Sequence, residues 1–286
     1  VSERSFQLWV RNFKIKLQER YIEIMNRKLW VVFVGLCALV SVSLVLLTGC
    51  SKKSNEETAA TPAPAAAPAP AATPIDPATA ATVSGTVTFT GAAPKMAKID
   101  MSQDPACKGM NMAENVIADG GKLDNVFVYV KSGLGDRTFN APTDPVTIDQ
   151  SGCKYHPHVL GVMAGQTIKI VNSDPTTHNI HPTPADNREW NESQPPQAPA
   201  LEKTFAREEI MLPVKCNQHP WMKMYVNVVK SPFYAVTGPD GKFEIKGLPP
   251  GDYTIAFVQE KLGTQEQKVT VAAKDSKTVD ASFKAE

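Results

Sequence analysis

From Val83 onward, apolar and polar residues alternate in short runs. Ser84-Gly-Thr-Val-Thr-Phe-Thr90, Asn125-Val-Phe-Val-Tyr-Val130, Thr167-Ile-Lys-Ile-Val171 and Tyr225-Val-Asn-Val-Val229 show it most clearly. Lys242-Phe-Glu-Ile-Lys246 and Tyr253-Thr-Ile-Ala-Phe-Val258 continue the series beside turn residues at Asp240-Gly241 and Pro250-Gly251. Strand geometry sends successive side chains to opposite faces, so each run predicts a strand with one buried face. Beyond the N-terminal region no 3.6-residue period competes. The pattern predicts an all-β chain built from sandwiches.

The N-terminal third reads differently. Leu29 to Leu47 is a run of nineteen residues without a charge, preceded by Arg27-Lys28 and followed by Thr48-Gly49-Cys50. A basic flank, an apolar stretch and small residues at a break point predict a signal peptide over 25–49. Leu47-Thr48-Gly49-Cys50 resembles a bacterial lipobox, which implies that Cys50 is lipidated and begins the mature chain. The protein would then be exported and held to the outer (or inner) membrane, facing the periplasm. An uncleaved membrane anchor is the alternative, since nineteen apolar residues can cross a bilayer. Residues 1–24 fit neither and are read as a gene-model extension or a short cytoplasmic segment.

Between Ala59 and Thr82, eighteen of twenty-four residues are Ala or Pro. Such a stretch buries too little apolar surface to fold, so residues 50–83 are expected to be a disordered linker. Charge narrows the function: 30 Lys+Arg against 29 Asp+Glu leaves a net +1, without the basic excess of a nucleic-acid binder.

Candidate chemistry sits among five histidines, all between 156 and 219. Cys216-Asn217-Gln218-His219-Pro220-Trp221-Met222 offers a thiol, an imidazole and a thioether at three-residue intervals, and His178 stands upstream in Asn172-Ser173-Asp174-Pro175-Thr176-Thr177-His178-Asn179. Two His, one Cys and a weak axial Met form the donor set of blue-copper electron-transfer sites. Thiolate and thioether suit Cu(I), and imidazole suits both oxidation states. Met224 is the competing axial candidate, with the spacing favouring Met222. Strand alternation places His181 on the face opposite His178. His156 and His158, flanking Pro157, are expected to be a loop-exposed pair.

With these residues in hand, the stretch 145–230 resembles a cupredoxin, nearest the amicyanin and plastocyanin branch. Tyr155-His-Pro157 with Val162-Met-Ala-Gly165 is similar to its opening strand, Asn172 and His178-Asn179 to its first ligand strand, and Cys216-x-x-His219-Pro220 to its ligand loop. The resemblance implies one type 1 copper ion held by His178, Cys216, His219 and Met222, with Asn179 bracing the site from behind. It also implies that electrons leave through the edge of His219, with Pro220 and Trp221 in the docking patch. Two stretches depart from the family. Pro213 interrupts Glu209–Lys215, predicting an edge strand or a bulge, and Asn187–Ala200 shows no recognisable strand. With Cys37 lost in the signal, Cys50 lipidated and Cys216 on the metal, Cys107 and Cys153 remain as a predicted disulfide.

Thr237 to Tyr253, with Asp240-Gly241 and Leu248-Pro-Pro-Gly-Asp-Tyr253, resembles the carboxypeptidase regulatory-like (transthyretin-related) sandwich. Ser84-Gly-Thr-Val87 and Val126–Val130 match other strands of that family. Hence 84–144 and 231–286 are expected to form this second sandwich, either split by insertion of the cupredoxin-like domain or as a neighbour to it. The whole implies an all-β chain: a cupredoxin-like Greek-key β-sandwich plus a transthyretin/carboxypeptidase-regulatory-like one, behind a signal or anchor helix. The implied role is that of a one-electron Cu(I)/Cu(II) carrier, not an enzyme, serving cell-envelope redox proteins such as a cytochrome, dehydrogenase or oxidase. Copper sequestration or delivery without redox cycling is the rival. A structural envelope protein with a vestigial loop is a third class, disfavoured by the intact donor set.

Overall fold

A computed structural model describes residues 71–109 and 111–284. The signal segment, Cys37, Cys50, residues 1–24 and the linker before residue 71 lie outside the described residues. Among the described residues no helix forms, and strands make up two sandwiches.

The first sandwich takes strands from both ends of the described chain. Ala81–Thr90 pairs antiparallel with Lys242–Leu248 and parallel with Ser276–Thr278 and Ala281–Lys284. Facing this sheet, Phe127–Ser132 lies between Tyr234–Val236 and Gly251–Gln259, and Gly263–Val271 closes the edge. The alternation read from sequence is what fills the gap: Val83, Val87, Leu123, Val128, Ile245, Leu248, Ile255 and Phe257 form one apolar core. At the Asp240-Gly241 turn, Gly241 has φ +70, and a Cβ there would stand 2.5 Å from the carbonyl oxygen of Val87. Only glycine fits that turn.

The strands of the second sandwich all come from the intervening chain. One sheet orders Leu201–Lys203, Ile168–Asn172, Val146–Ser151 and Lys154–His156; the other orders Glu192–Gln194, His178–Pro182, Glu209–Lys215, Lys223–Val229 and Val159–Met163. Its core joins Ile148, Tyr155, Val162, Ile168, Ile170, Leu212, Val226 and Val228 to Cys216 and Met222. The chain thus leaves the first sandwich after Phe127–Ser132 and re-enters the same sheet at Tyr234–Val236. Where the two meet, Phe127, Val159, Met163 and Val229 are buried together, with Tyr234 packed against them.

Several expectations need correction. The linker gains structure before residue 83: the N–H of Thr73 donates to the Thr138 carbonyl (2.7 Å), and the Thr138 hydroxyl donates to that of Ala71 (2.8 Å). Glu209–Lys215 is no edge strand, since it pairs on both sides. Its irregularity is a bulge between Glu209 and Leu212, with Met211 at φ 55. Asn187–Ala200 does contain a strand, Glu192–Gln194 against His178–Ile180, too short and polar for any pattern to mark. His158 is 8% exposed rather than on a loop surface, because its Nε2 meets the Glu260 carboxylate at 3.1 Å. Finally, Ile99, Met101 and Cys107, placed by sequence in the first sandwich, pack on the core of the second.

Candidate metal centre

His178 opens strand His178–Pro182, and the turn before it is shaped by Asn172. The Asn172 amide donates to the carbonyls of Thr176 (2.9 Å) and Gln194 (2.8 Å), and its Oδ1 accepts the N–H of Asp174 (3.0 Å). Cys216 follows directly on strand Glu209–Lys215, and the loop to Lys223 closes on itself. There the N–H of Met222 donates to His219 O (2.9 Å) and that of Cys216 to Met222 O (3.2 Å). The two halves are joined by Asn179, whose Oδ1 accepts the N–H of Asn217 (2.7 Å) and the Cys216 thiol (3.2 Å).

This scaffold brings three donors together. His178 Nδ1 lies 2.9 Å from His219 Nδ1, which lies 3.7 Å from Cys216 Sγ. All three residues are buried, at 0%, 4% and 3% exposure, and their ligating atoms fall within 4.8 Å of one another. Met222 and Met224 are both buried in the same core, and Cys216 is a free cysteine. The outer nitrogens are occupied. His178 Nε2 donates to Asp174 Oδ2 (2.8 Å) and His219 Nε2 to Asp104 Oδ2 (2.9 Å). A carboxylate only accepts, so each Nε2 carries the proton and each Nδ1 turns a lone pair inward. Two lone pairs facing across 2.9 Å repel unless a proton or a metal ion lies between them. Burial pushes the His178 imidazole below its ordinary pKa, against the Asp174 carboxylate beside it, so a second proton on this ring is disfavoured. The residues present therefore fit a thiophilic, nitrogen-binding metal such as copper.

The carboxylates are themselves anchored. Asp174 accepts the N–H groups of Gly152 and Cys153, each at 2.8 Å. Asp104 accepts the N–H of Ala106 (2.8 Å) and the Thr176 hydroxyl (2.8 Å). These bonds, the Ala106 N–H foremost, then Thr176 and His219, bring its pKa down to about 2. Cys107 and Cys153 are joined in a disulfide as predicted, which fastens the Asp104 segment beside the ligands. Tyr155 donates its hydroxyl to the Asn179 carbonyl (2.6 Å), and burial, then the neighbouring Cys216, raises its pKa.

His219 does not offer the free edge that the resemblance implies, since its outer nitrogen is capped by Asp104. Pro220 is exposed and Trp221 half-buried, the Trp221 ring lying 5.1 Å from that of His219 and its N–H donating to Cys153 O (3.1 Å). His181 lies apart from the donors, bonded to Asn217 Oδ1 (3.0 Å) and Glu189 (2.6 Å). His156 is exposed, and its Nε2 lies 3.1 Å from the Ser151 carbonyl oxygen. Sequence reasoning missed both aspartates. Asp174 stood four residues before His178 in a visible turn. Asp104 is 115 residues from its partner, and only the predicted disulfide three residues on could have drawn it in.

Residues 218–284 match the family model of the carboxypeptidase regulatory-like domain. No curated protein matches the chain. Among solved structures it is similar to the copper-containing nitrite reductase from Thermus scotoductus, at 17% identity over 51% of this chain with TM-score 0.29. The aligned part spans 28% of the length of that reductase. A novel purple cupredoxin from Nitrosopumilus maritimus is similar at 22% identity, over 29% of this chain and 99% of its own, with TM-score 0.26. A Cu(I) amicyanin variant is similar at 24% identity, over 30% and 82%, with TM-score 0.26.

Proposed function

We propose that this chain is a lipid-anchored mononuclear type 1 copper protein that carries single electrons. The observation that carries the reading is the pair of inward-facing Nδ1 lone pairs beside the Cys216 sulfur, each imidazole fixed from outside by a carboxylate. His178, Cys216 and His219 would hold the ion, with the Met222 thioether as a fourth and weaker donor. Bound copper supplies a one-electron Cu(II)/Cu(I) couple. The chain contributes a buried cage whose ligands need not rearrange: Asn179 ties the Cys216 loop to the His178 strand, and Asp174 and Asp104 fix the two rings. Pro220 and Trp221, beside His219, form the docking patch for redox partners of the cell envelope. Cys50 would carry the lipid, with residues 25–49 as the signal that exports the chain to the periplasmic face. No reaction on a substrate is assigned to it.

One observation favours the rival reading, copper sequestration or delivery: His219 is covered, and a covered ligand suits retention as well as transfer. The spectrum separates them. The full chain, purified in detergent and loaded with Cu(II), should show an intense thiolate-to-copper band that a mild reductant bleaches. Cys216→Ala should abolish it. A pale tetragonal spectrum would favour storage, and a Cys216→Ala variant that binds copper as tightly and is reduced as readily would sink the carrier reading.

A further inference from the structure

The outer face of His219 is built by a segment that the ligand-bearing sandwich does not itself supply. Asp104 belongs to the stretch between strands Ala81–Thr90 and Phe127–Ser132 of the first sandwich, yet it crosses to the metal centre. Three fastenings hold it there. Met101 is 4% exposed in the core of the second sandwich, the Asn111 amide donates to Gly152 O (2.8 Å), and Cys107 is bridged to Cys153. Within this frame the Asp104 carboxylate has little freedom. One oxygen accepts the Ala106 N–H, and the other is shared by the Thr176 hydroxyl and His219 Nε2. The imidazole is 5% exposed and the carboxylate 22%, so the pair is shielded on the ligand side and open on the other.

We infer that Asp104 is the positioning residue of His219. This rests on the copper reading above and deepens it. The bond to Nε2 selects the tautomer whose Nδ1 faces inward, fixes the ring's rotation, and places a negative charge on the far side of the imidazole. A carboxylate partner makes a ligating imidazole a stronger donor, which favours Cu(II) over Cu(I). The same bond covers the ring edge, so the contact surface available to a redox partner is the half-buried Trp221 ring rather than His219.

The test is Asp104→Asn in the full chain, which keeps the shape and removes the charge, with Asp104→Glu as the variant that keeps the charge. Loss of such an outer partner typically weakens metal binding about tenfold or more. If that loss falls on Cu(II), the Cu(II)/Cu(I) potential rises by about 59 mV for each factor of ten in a one-electron couple. Asp104→Glu should return the potential towards wild type. A merely structural role would lower the melting temperature of both variants and leave the potential in place. An Asp104→Asn protein with an intact blue band and the wild-type potential overturns the inference. If that variant does not fold, Thr176→Val, which removes the donor competing with His219 for the same oxygen while keeping the charge, should shift the potential downward by a smaller amount, and an unchanged potential overturns the inference equally. A wild-type chain without the blue band overturns the copper reading itself, a different result from a blue chain indifferent to residue 104.

Discussion

The bridge between Cys107 and Cys153 spans 46 residues of chain and fastens the Asp104 segment to the strand edge that carries Tyr155. Replacing both cysteines by alanine removes a cross-link from the unfolded ensemble. For a loop of that size the chain-entropy model gives about 4 kcal/mol of stability lost at 25 °C. The two cysteines are also buried, at 7% and 1% exposure, so loss of their sulfurs adds about 1 kcal/mol of packing loss. Urea unfolding of the metal-free chain measures the sum. Trp190 and Trp221 both pack on the core of the ligand-bearing sandwich, so their emission follows the unit in question. The midpoint should fall by the equivalent of about 4–5 kcal/mol, with a slope that rises slightly because the freed unfolded chain exposes more surface. A loss below about 1 kcal/mol would refute the reasoning. It would mean that the segment's other contacts already restrict the unfolded chain, or that the bridge contributes nothing to holding it.

Two further predictions use other parts of the fold. Burial pushes the Glu209 carboxyl up, but the N–H groups of the Asn187 amide, Ala185, Asp186 and Asn187 outweigh it and hold it below its usual pKa. A depressed folded-state pKa contributes stability that is present above the unfolded value of about 4.3 and fades as pH falls through the folded one. Glu209→Gln should therefore cost about 2 kcal/mol near pH 7, with the gap to wild type closing below about pH 4; denaturant titrations at several pH values check it, and a pH-independent gap would refute the charge argument. At the meeting of the two sandwiches, a Cβ on Gly161 would lie 2.5 Å from the Tyr234 ring and 2.9 Å from that of Phe127. Gly161→Val should cost about 1–3 kcal/mol through overpacking and separate the melting of the two sandwiches in calorimetry, whereas an unshifted single transition would show that the contact yields freely.

What the sequence made legible is what depends on neighbours along the chain. Strands such as Ile168–Asn172 and Lys242–Leu248 bury alternate residues, and their period of two announces them. The donor loop was legible for the same reason, since Cys216, His219 and Met222 lie at fixed short spacing. Gly263–Val271 was not, because its residues are mostly exposed and polar until Val269; it is held by backbone pairing to Gly251–Gln259, which leaves no mark on side-chain type. His158 was misplaced because the carboxylate that makes its burial tolerable lies 102 residues away. The pattern carries the local fold, and long-range polar pairing escapes it.

The same limit explains why sequence reasoning placed the whole centre within 145–230. Its donors come from one stretch, but the groups that orient them come from two. Asp174 is local to His178, whereas Asp104 arrives through the first sandwich. On the proposed reading, a centre whose second imidazole is positioned from outside its own sandwich couples metal affinity to the integrity of both. Loosening the Gly161 contact or cutting the Cys107–Cys153 bridge should then alter the potential of the centre as well as its melting, even though neither change touches a donor. A second sandwich that served only as a spacer would leave the potential unmoved. Its strands contribute no donor to the site, but the segment between them brings the carboxylate that faces His219, and that is a reason for the donor domain to be set within the other rather than joined to its end.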